Sequence, residues 1–320
     1  MSILCVGSVA LDSLRTPSGE RDDALGGSAT YFSVSASFFT HVDLVAVVGE
    51  DFPKEHVDFL ASRSVGLEGL ERKPGRTFRW KGEYGWDLNE AHTLATELNV
   101  FESFSPKVPK GLTRPDWLFL GNIDPDLQLS VLDQVERPKL VAADTMNYWI
   151  SGKPDNLAEL LGRIDLLFIN DGEARQLAGE SNVVKAAQVI QRMGPATVCI
   201  KRGEYGALLF LPPSRNGNPR ETVFAVPAMP LEDVTDPTGA GDAFAGGFMG
   251  YLASVGGVSP SSLRLATITG TVLASFAVED FGLERLRTLR REEINGRLEE
   301  FRRVTFTGVA EGSRLVPDKM

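Results

Sequence analysis

The chain has 320 residues, 42% of them hydrophobic and 24% charged, which is ordinary for a globular protein able to build its own core. Its 33 basic and 43 acidic residues leave a net charge of -10, which argues against a nucleic-acid backbone as partner. No apolar run is long enough to span a bilayer and no basic leader precedes the first strand-like segment, so no membrane partner and a cytoplasmic setting are expected.

Short apolar, β-rich runs alternate with helical periodicity along most of the chain. A strand is predicted over Ile3–Val6, a helix over Ser28–Phe39, a strand over Asp43–Val48 and a helix over Lys54–Ser62. The pattern resumes with a strand at Trp117–Leu120, a helix at Leu127–Val135, a strand at Leu140–Ala143 and a helix at Leu157–Leu161. Next come a strand at Leu166–Ile169, helices at Gly172–Ala178 and Val183–Met193, and strands at Val198–Lys201, Ala207–Phe210 and Thr222–Val226. Helices at Ala240–Ala253, Ser261–Val278 and Arg291–Arg302 follow, and the tail after Arg303 reads as polar and irregular. Apolar runs without polar alternation suit strands covered on both faces. The expected fold class is therefore α/β, a single-domain three-layer sandwich with a mostly parallel central sheet. Cys5 and Cys199 lie in such runs and read as buried, reduced thiols.

Residues 74–106 break the alternation with a polar, aromatic composition. Extended stretches at 76–82 and 96–101, with Leu11–Arg15, suggest a small antiparallel β lid assembled from about 11–22 and 74–106. Its aromatic residues Phe78, Trp80, Tyr84, Trp86 and Phe101 suit packing within the lid or a dimer seam, with stacking on a nucleobase as the alternative.

Several common sites are absent. Lys153 follows a glycine but lacks the spacing of a phosphate-binding P-loop, and neither G-x-G-x-x-G nor G-x-S-x-G occurs. His41, His56 and His92 are scattered, without zinc-ligand spacing.

One segment carries chemistry. Residues 236–244 read D-P-T-G-A-G-D-A-F and lie between the strand at Thr222–Val226 and the long helix starting at Ala240. Glycines permit a tight turn and close approach to a ligand, while a helix N-terminus offers unpaired N–H groups to an anion. Asp242 in the first turn would repel a phosphate if binding were the only task. A carboxylate there makes sense as a proton acceptor, so the pattern points to phosphoryl transfer to an alcohol.

This segment closely resembles the D-T-x-G-A-G-D-x-F signature of the PfkB carbohydrate kinase family, the ribokinase-like kinases, with Pro237 in place of the usual threonine. Gly26-Gly27, the stretch 7–12 ending in Asp12, N-D-G-E at 170–173 and K-R-G-E-Y-G at 201–206 resemble further motifs, so the resemblance spans about residues 3–285. It implies an ATP-dependent kinase acting on a hydroxymethyl group of a small carbohydrate, a sugar or a nucleoside, with Mg2+. Asp242 would be the catalytic base, and the N–H groups of Gly239, Ala240, Gly241 and Asp242 the anion hole. Asp12, Gly26, Gly27 and Tyr31 would meet the acceptor, Tyr31 standing where the family usually has asparagine. Asn170, Lys201, Gly203 and Gly206 would face the nucleotide, together with a wall near Ala274–Gly282. Glu173 would hold Mg2+ through water, and Asp236 matches a position that binds a monovalent cation, K+, in parts of the family. A homodimer through the lid is a further expectation. The alternatives are a nucleoside kinase within the same class and a non-catalytic nucleotide- or sugar-binding regulator on the same fold.

Overall fold

The computed structural model describes residues 2–89, 91–212 and 222–305. Its strands are β1 (Ser2–Val6), β2 (Ala10–Thr16), β3 (Gly19–Gly26), β4 (His41–Gly49), β5 (Val65–Lys73), β6 (Arg79–Tyr84), β7 (Ala91–Glu97), β8 (Trp117–Leu120), β9 (Leu140–Asp144), β10 (Leu166–Asn170), β11 (Thr197–Lys201), β12 (Ala207–Phe210) and β13 (Val223–Val226). Its helices are α1 (Ser28–Ala36), α2 (Lys54–Ser62), α3 (Pro125–Leu132), α4 (Asn147–Gly152), α5 (Pro154–Leu161), α6 (Asp171–Ala178), α7 (Val183–Met193), α8 (Ala240–Val255), α9 (Pro260–Ala277), α10 (Glu284–Thr288) and α11 (Arg291–Thr305).

Nine strands form the central sheet in the order β13-β12-β11-β10-β9-β8-β1-β4-β5. The pairings from β5 through β11 are parallel, while β12 and β13 add an antiparallel edge. Parallel strands are buried on both faces because their crossover helices cover them. Thus β1 alternates Ile3 and Cys5 into one core with Leu4 and Val6 into the other. The first core packs α1, α8 and α9 on the sheet; Phe32 and Phe119 stack there with centroids 3.8 Å apart and planes 4° from parallel. The second lies under α3, α5 and α7. Both cysteines are buried and free, as expected.

The second sheet has the order β3-β2-β6-β7 and is the lid. Its outer pairings are antiparallel, and β2 and β6 join the two hairpins in parallel. Arg79 binds Asp23 and Asp51, fastening the lid to the loop after β4.

Boundaries shift where local signals compete. The lid strand expected to end at Phe101 instead spans Ala91–Glu97, and Asn99–Ser103 forms a 3-10 turn. Two strands, β3 and β5, had no apolar signature: β3 is mostly exposed, and β5 is the edge of the main sheet. Helix α11 continues to Thr305, and the expected irregular tail at 306–320 lies outside the described residues. Among the described residues no helix is long and apolar enough to cross a membrane.

Candidate active site

The loops beyond the carboxyl ends of the parallel strands converge on the N-terminus of α8, where a sheet of this kind binds ligands. Gly239 caps that helix in a left-handed conformation at φ 73°. An added Cβ there would lie 2.4 Å from the Tyr31 ring, so both the backbone and the space demand glycine. Gly241 is glycine for room alone: a Cβ would stand 2.9 Å from Lys201 Nζ. The lysine ammonium therefore sits against the first turn of α8. The Ala240 N–H donates to the Pro237 carbonyl at 3.2 Å, which closes the turn and removes one of the four expected anion-hole donors. The Gly239 and Gly241 N–H groups have no acceptor among the described residues.

Asp242 occupies that first turn. Withdrawal from water, reinforced by the Asp144 and Glu173 carboxylates, outweighs Lys201 and its own backbone N–H, and pushes its pKa up to about 7. Asp144 ends β9, is 4% exposed and accepts from Lys201 Nζ at 2.6 Å. Burial pulls the Lys201 ammonium down, but Asp144, Asp242 and Glu173 together raise it above the usual lysine range. Asp144 was missed from sequence. It follows the apolar run L-V-A-A of β9 and stands in no motif.

Asn170 and Glu173 form a capping box at the start of α6. Asn170 Oδ1 accepts from the Glu173 N–H at 2.7 Å, and Glu173 Oε2 accepts from the Asn170 N–H at 2.9 Å. Burial, and then Asp144, push Glu173 up to about 7 against the Asn170 N–H and Lys201. Among the described residues no three His, Cys, Asp or Glu are grouped to hold a metal. The Glu173 carboxylate is held by the Asn170 and Asn147 N–H groups, which fits a Mg2+ that would arrive with a triphosphate and meet this carboxylate through water. Gly203 and Gly206 shape the turn after β11, both at positive φ, 53° and 84°.

The acceptor-side residues also converge. Gly27 precedes α1 at φ 94°, and the Ala29 N–H donates to the Ser8 carbonyl at 3.0 Å. A Cβ on Gly26 would lie 1.9 Å from Asp12 Oδ2, so the carboxylate rests on that glycine. Burial, then Asp236, push Asp12 up to about 8, with the Gly27 N–H opposing. Tyr31 is 1% exposed, its ring lies beneath Gly239, and its hydroxyl has no partner among the described residues. It supports the catalytic loop from below instead of offering an open face. Burial raises its pKa well above the usual range, helped by Asp236 and Asp12.

Asp236 is fully buried and ties two loops together, accepting from the Thr238 and Gly282 N–H groups, each at 2.9 Å. Thr238 in turn donates its hydroxyl to the Tyr84 hydroxyl in β6 at 3.1 Å. Thr16 Oγ1 donates to the Thr235 carbonyl at 2.7 Å, and Ser18 Oγ to that of Val234 at 3.2 Å. The lid is therefore stitched to the catalytic loop from both of its hairpins. Tyr84 and Thr238 were not read as a pair from sequence, because nothing local links residues so far apart.

A model of the pfkB family of carbohydrate kinases matches residues 124–287. A cytidine kinase from Thermococcus kodakarensis is 31% identical over 259 residues, 78% of this chain and 88% of that protein. The chain belongs to the pfkB carbohydrate kinase family. Solved structures share the kinase's fold. A nucleoside kinase from Methanocaldococcus jannaschii, an archaeal member of the ribokinase family, superposes with a TM-score of 0.72 at 20% identity, covering 93% of this chain and 98% of that one. An E. coli structure described as ribokinase II, in complex with ATP and Mg2+, gives 0.72 at 19% identity over 93% and 99% of the two chains. In this kinase the motif residues Asp12, Glu173, Lys201 and Asp242 come together around the start of α8.

Proposed function

We propose that the kinase transfers the γ-phosphoryl group of ATP to a hydroxymethyl group of a small carbohydrate, either a free sugar or the ribose of a nucleoside. The observation that carries this reading is Asp242, held at the N-terminus of α8 between N–H donors without acceptors and the Lys201 ammonium.

The acceptor hydroxyl hydrogen-bonds to Asp242, which takes its proton as the oxygen attacks phosphorus. A base titrating near neutrality suits that task. The new P–O bond forms as the bond to the ADP oxygen breaks. The Gly239 and Gly241 N–H groups and Lys201 stabilise the charge spread over the transferring group without reorganising. Glu173 would hold a Mg2+ through water, and that ion would neutralise part of the triphosphate's charge. Asn170 and the 203–206 turn hold the nucleotide, while Asp12 and the Gly26-Gly27 turn fix the acceptor. The lid, tied to the catalytic loop through Tyr84, excludes water that would otherwise hydrolyse ATP.

A non-catalytic regulator would have no need of a carboxylate beside the γ-phosphate, so Asp242 favours turnover. A K+ beside Asp236 would rest against a buried carboxylate whose two oxygens already accept from the Thr238 and Gly282 N–H groups. Strand β7 supports pairing with a second copy through the lid, because all of its residues are exposed at an open sheet edge. The free, buried thiols support a reducing, cytoplasmic setting. A coupled ADP-release screen over pentoses, hexoses, inositol and nucleosides tests the reading. Acceptor-stimulated release is expected, and its absence across the panel would move the protein to the regulator class.

A further inference from the structure

The aromatic side chains of the lid fall into different settings. Phe78 stacks on Phe101 at 5.2 Å, and Phe101 on Phe104 at 5.5 Å, filling the root of the lid. Trp86 is 92% exposed, and Tyr84 meets Thr238 of the catalytic loop. Trp80 is placed differently. It pairs in register with Asp12 across the parallel β2–β6 ladder, where paired side chains leave the same face. Alternation along β6 puts Trp80, Gly82 and Tyr84 on that face. Both Asp12 and the Tyr84 contact identify it as the face over the cleft.

The indole lies flat on this face. A Cβ on Gly82 would come within 2.1 Å of Cη2 and 2.4 Å of Cζ2, so the ring covers the glycine. Its Nε1 donates to Thr93 Oγ1 at 3.2 Å, and Thr93 is the cross-strand partner of Gly82. One side of the ring is thus pinned to the sheet. Trp80 is half-buried, and among the described residues no other ring stacks on it. A flat, apolar surface next to a hydroxyl-binding carboxylate matches a molecule with a planar ring on one end and a polyol on the other.

We propose that Trp80 is the specificity-determining platform on which a nucleobase stacks, so that the acceptor is a nucleoside whose ribose reaches Asp12 and Asp242. This rests on the kinase reading above and narrows its acceptor. Base–aromatic stacking tolerates any base, so Trp80 selects for a nucleoside over a free sugar more than for one base over another.

The test assays ADP release by wild type, Trp80→Phe and Trp80→Ala with cytidine, uridine, adenosine and inosine, against ribose, fructose and glucose. Wild type is expected to use nucleosides and to be poorly stimulated by the free sugars. Trp80→Ala should raise the nucleoside KM about ten- to a hundredfold with kcat within a few-fold, and Trp80→Phe should restore most of the loss. Nucleoside binding should quench tryptophan fluorescence in wild type and do so far less in Trp80→Phe, a readout that remains if the alanine variant does not fold. Preferred turnover of ribose or a hexose, or an unmoved nucleoside KM in folded Trp80→Ala, would overturn the platform while leaving the kinase standing. No stimulated release from wild type by any acceptor would instead overturn the kinase reading itself.

Discussion

The nine residues at 236–244 look like one motif, yet each position answers to a different constraint. Gly239 is required by its left-handed backbone and by Tyr31 beneath it, whereas Gly241 only makes room for the Lys201 ammonium. Gly241→Val should therefore displace that ammonium from its place between Asp144 and the helix start. A fall in kcat of tenfold or more with little change in Tm is expected, and unchanged kcat/KM would contradict the placement of Lys201. The pH profile belongs to the same group of charges. Asp242 must be ionised to accept a proton, and its pKa is pushed up to about 7 by withdrawal from water and by Asp144. Activity should then be full above this value and fall about tenfold per unit below it. A kcat/KM profile flat down to pH 5 would show that no such base limits the reaction. Asp242, Glu173 and Asp12 were legible because each stands in a motif. Asp144 was not, because a lone carboxylate after L-V-A-A carries no spacing signal, and its partner Lys201 is distant in sequence.

At the scale of elements, the position of α8 decides the geometry of the cleft. It is held against α1 by close backbone approach: a Cβ on Gly246 would come within 2.4 Å of the Phe32 carbonyl oxygen, and Ser35 Oγ donates to the Ala243 carbonyl at 2.6 Å. Gly246→Ala should force the helices apart and cost about 1–3 kcal/mol, measured as a lower midpoint in urea. An unshifted midpoint would mean that the contact between α1 and α8 relaxes freely. Interior strands and long helices were legible because burial on both faces leaves continuous apolar runs, as in W-L-F-L at 117–120. Edge strands were not. β5 carries Glu68, Glu71 and Arg72 on a sheet margin, and β3 reads G-E-R-D-D-A, so neither contrasts with a loop. The parallel joining of the two lid hairpins was equally hidden, since register between distant segments leaves no local mark.

Across the whole molecule, the sheet supplies rigid strand ends, the helix start supplies N–H donors, and the second sheet is hydrogen-bonded to the loop that leads into that helix. The chain's own groups leave the nucleotide side acidic, with Asp144, Glu173 and Asp242 around a single lysine, Lys201. A triphosphate entering such a place needs a divalent cation with it. Turnover should be lost in excess EDTA and restored by Mg2+, and full activity without a divalent ion would remove the metal from the account. Fold class was legible at this scale because the alternation of strands and helices is global. The covering of the cleft was less so, because it depends on side chains such as Tyr84 that meet Thr238 only in the folded chain. The most direct test of the account compares acceptor-dependent ADP release by wild type and Asp242→Asn, with ATP binding measured alongside. Removing the base while keeping its shape should lower kcat about 10²–10⁴-fold and leave ATP binding near that of wild type. Near-normal kcat in Asp242→Asn would contradict the assignment of Asp242 as the base.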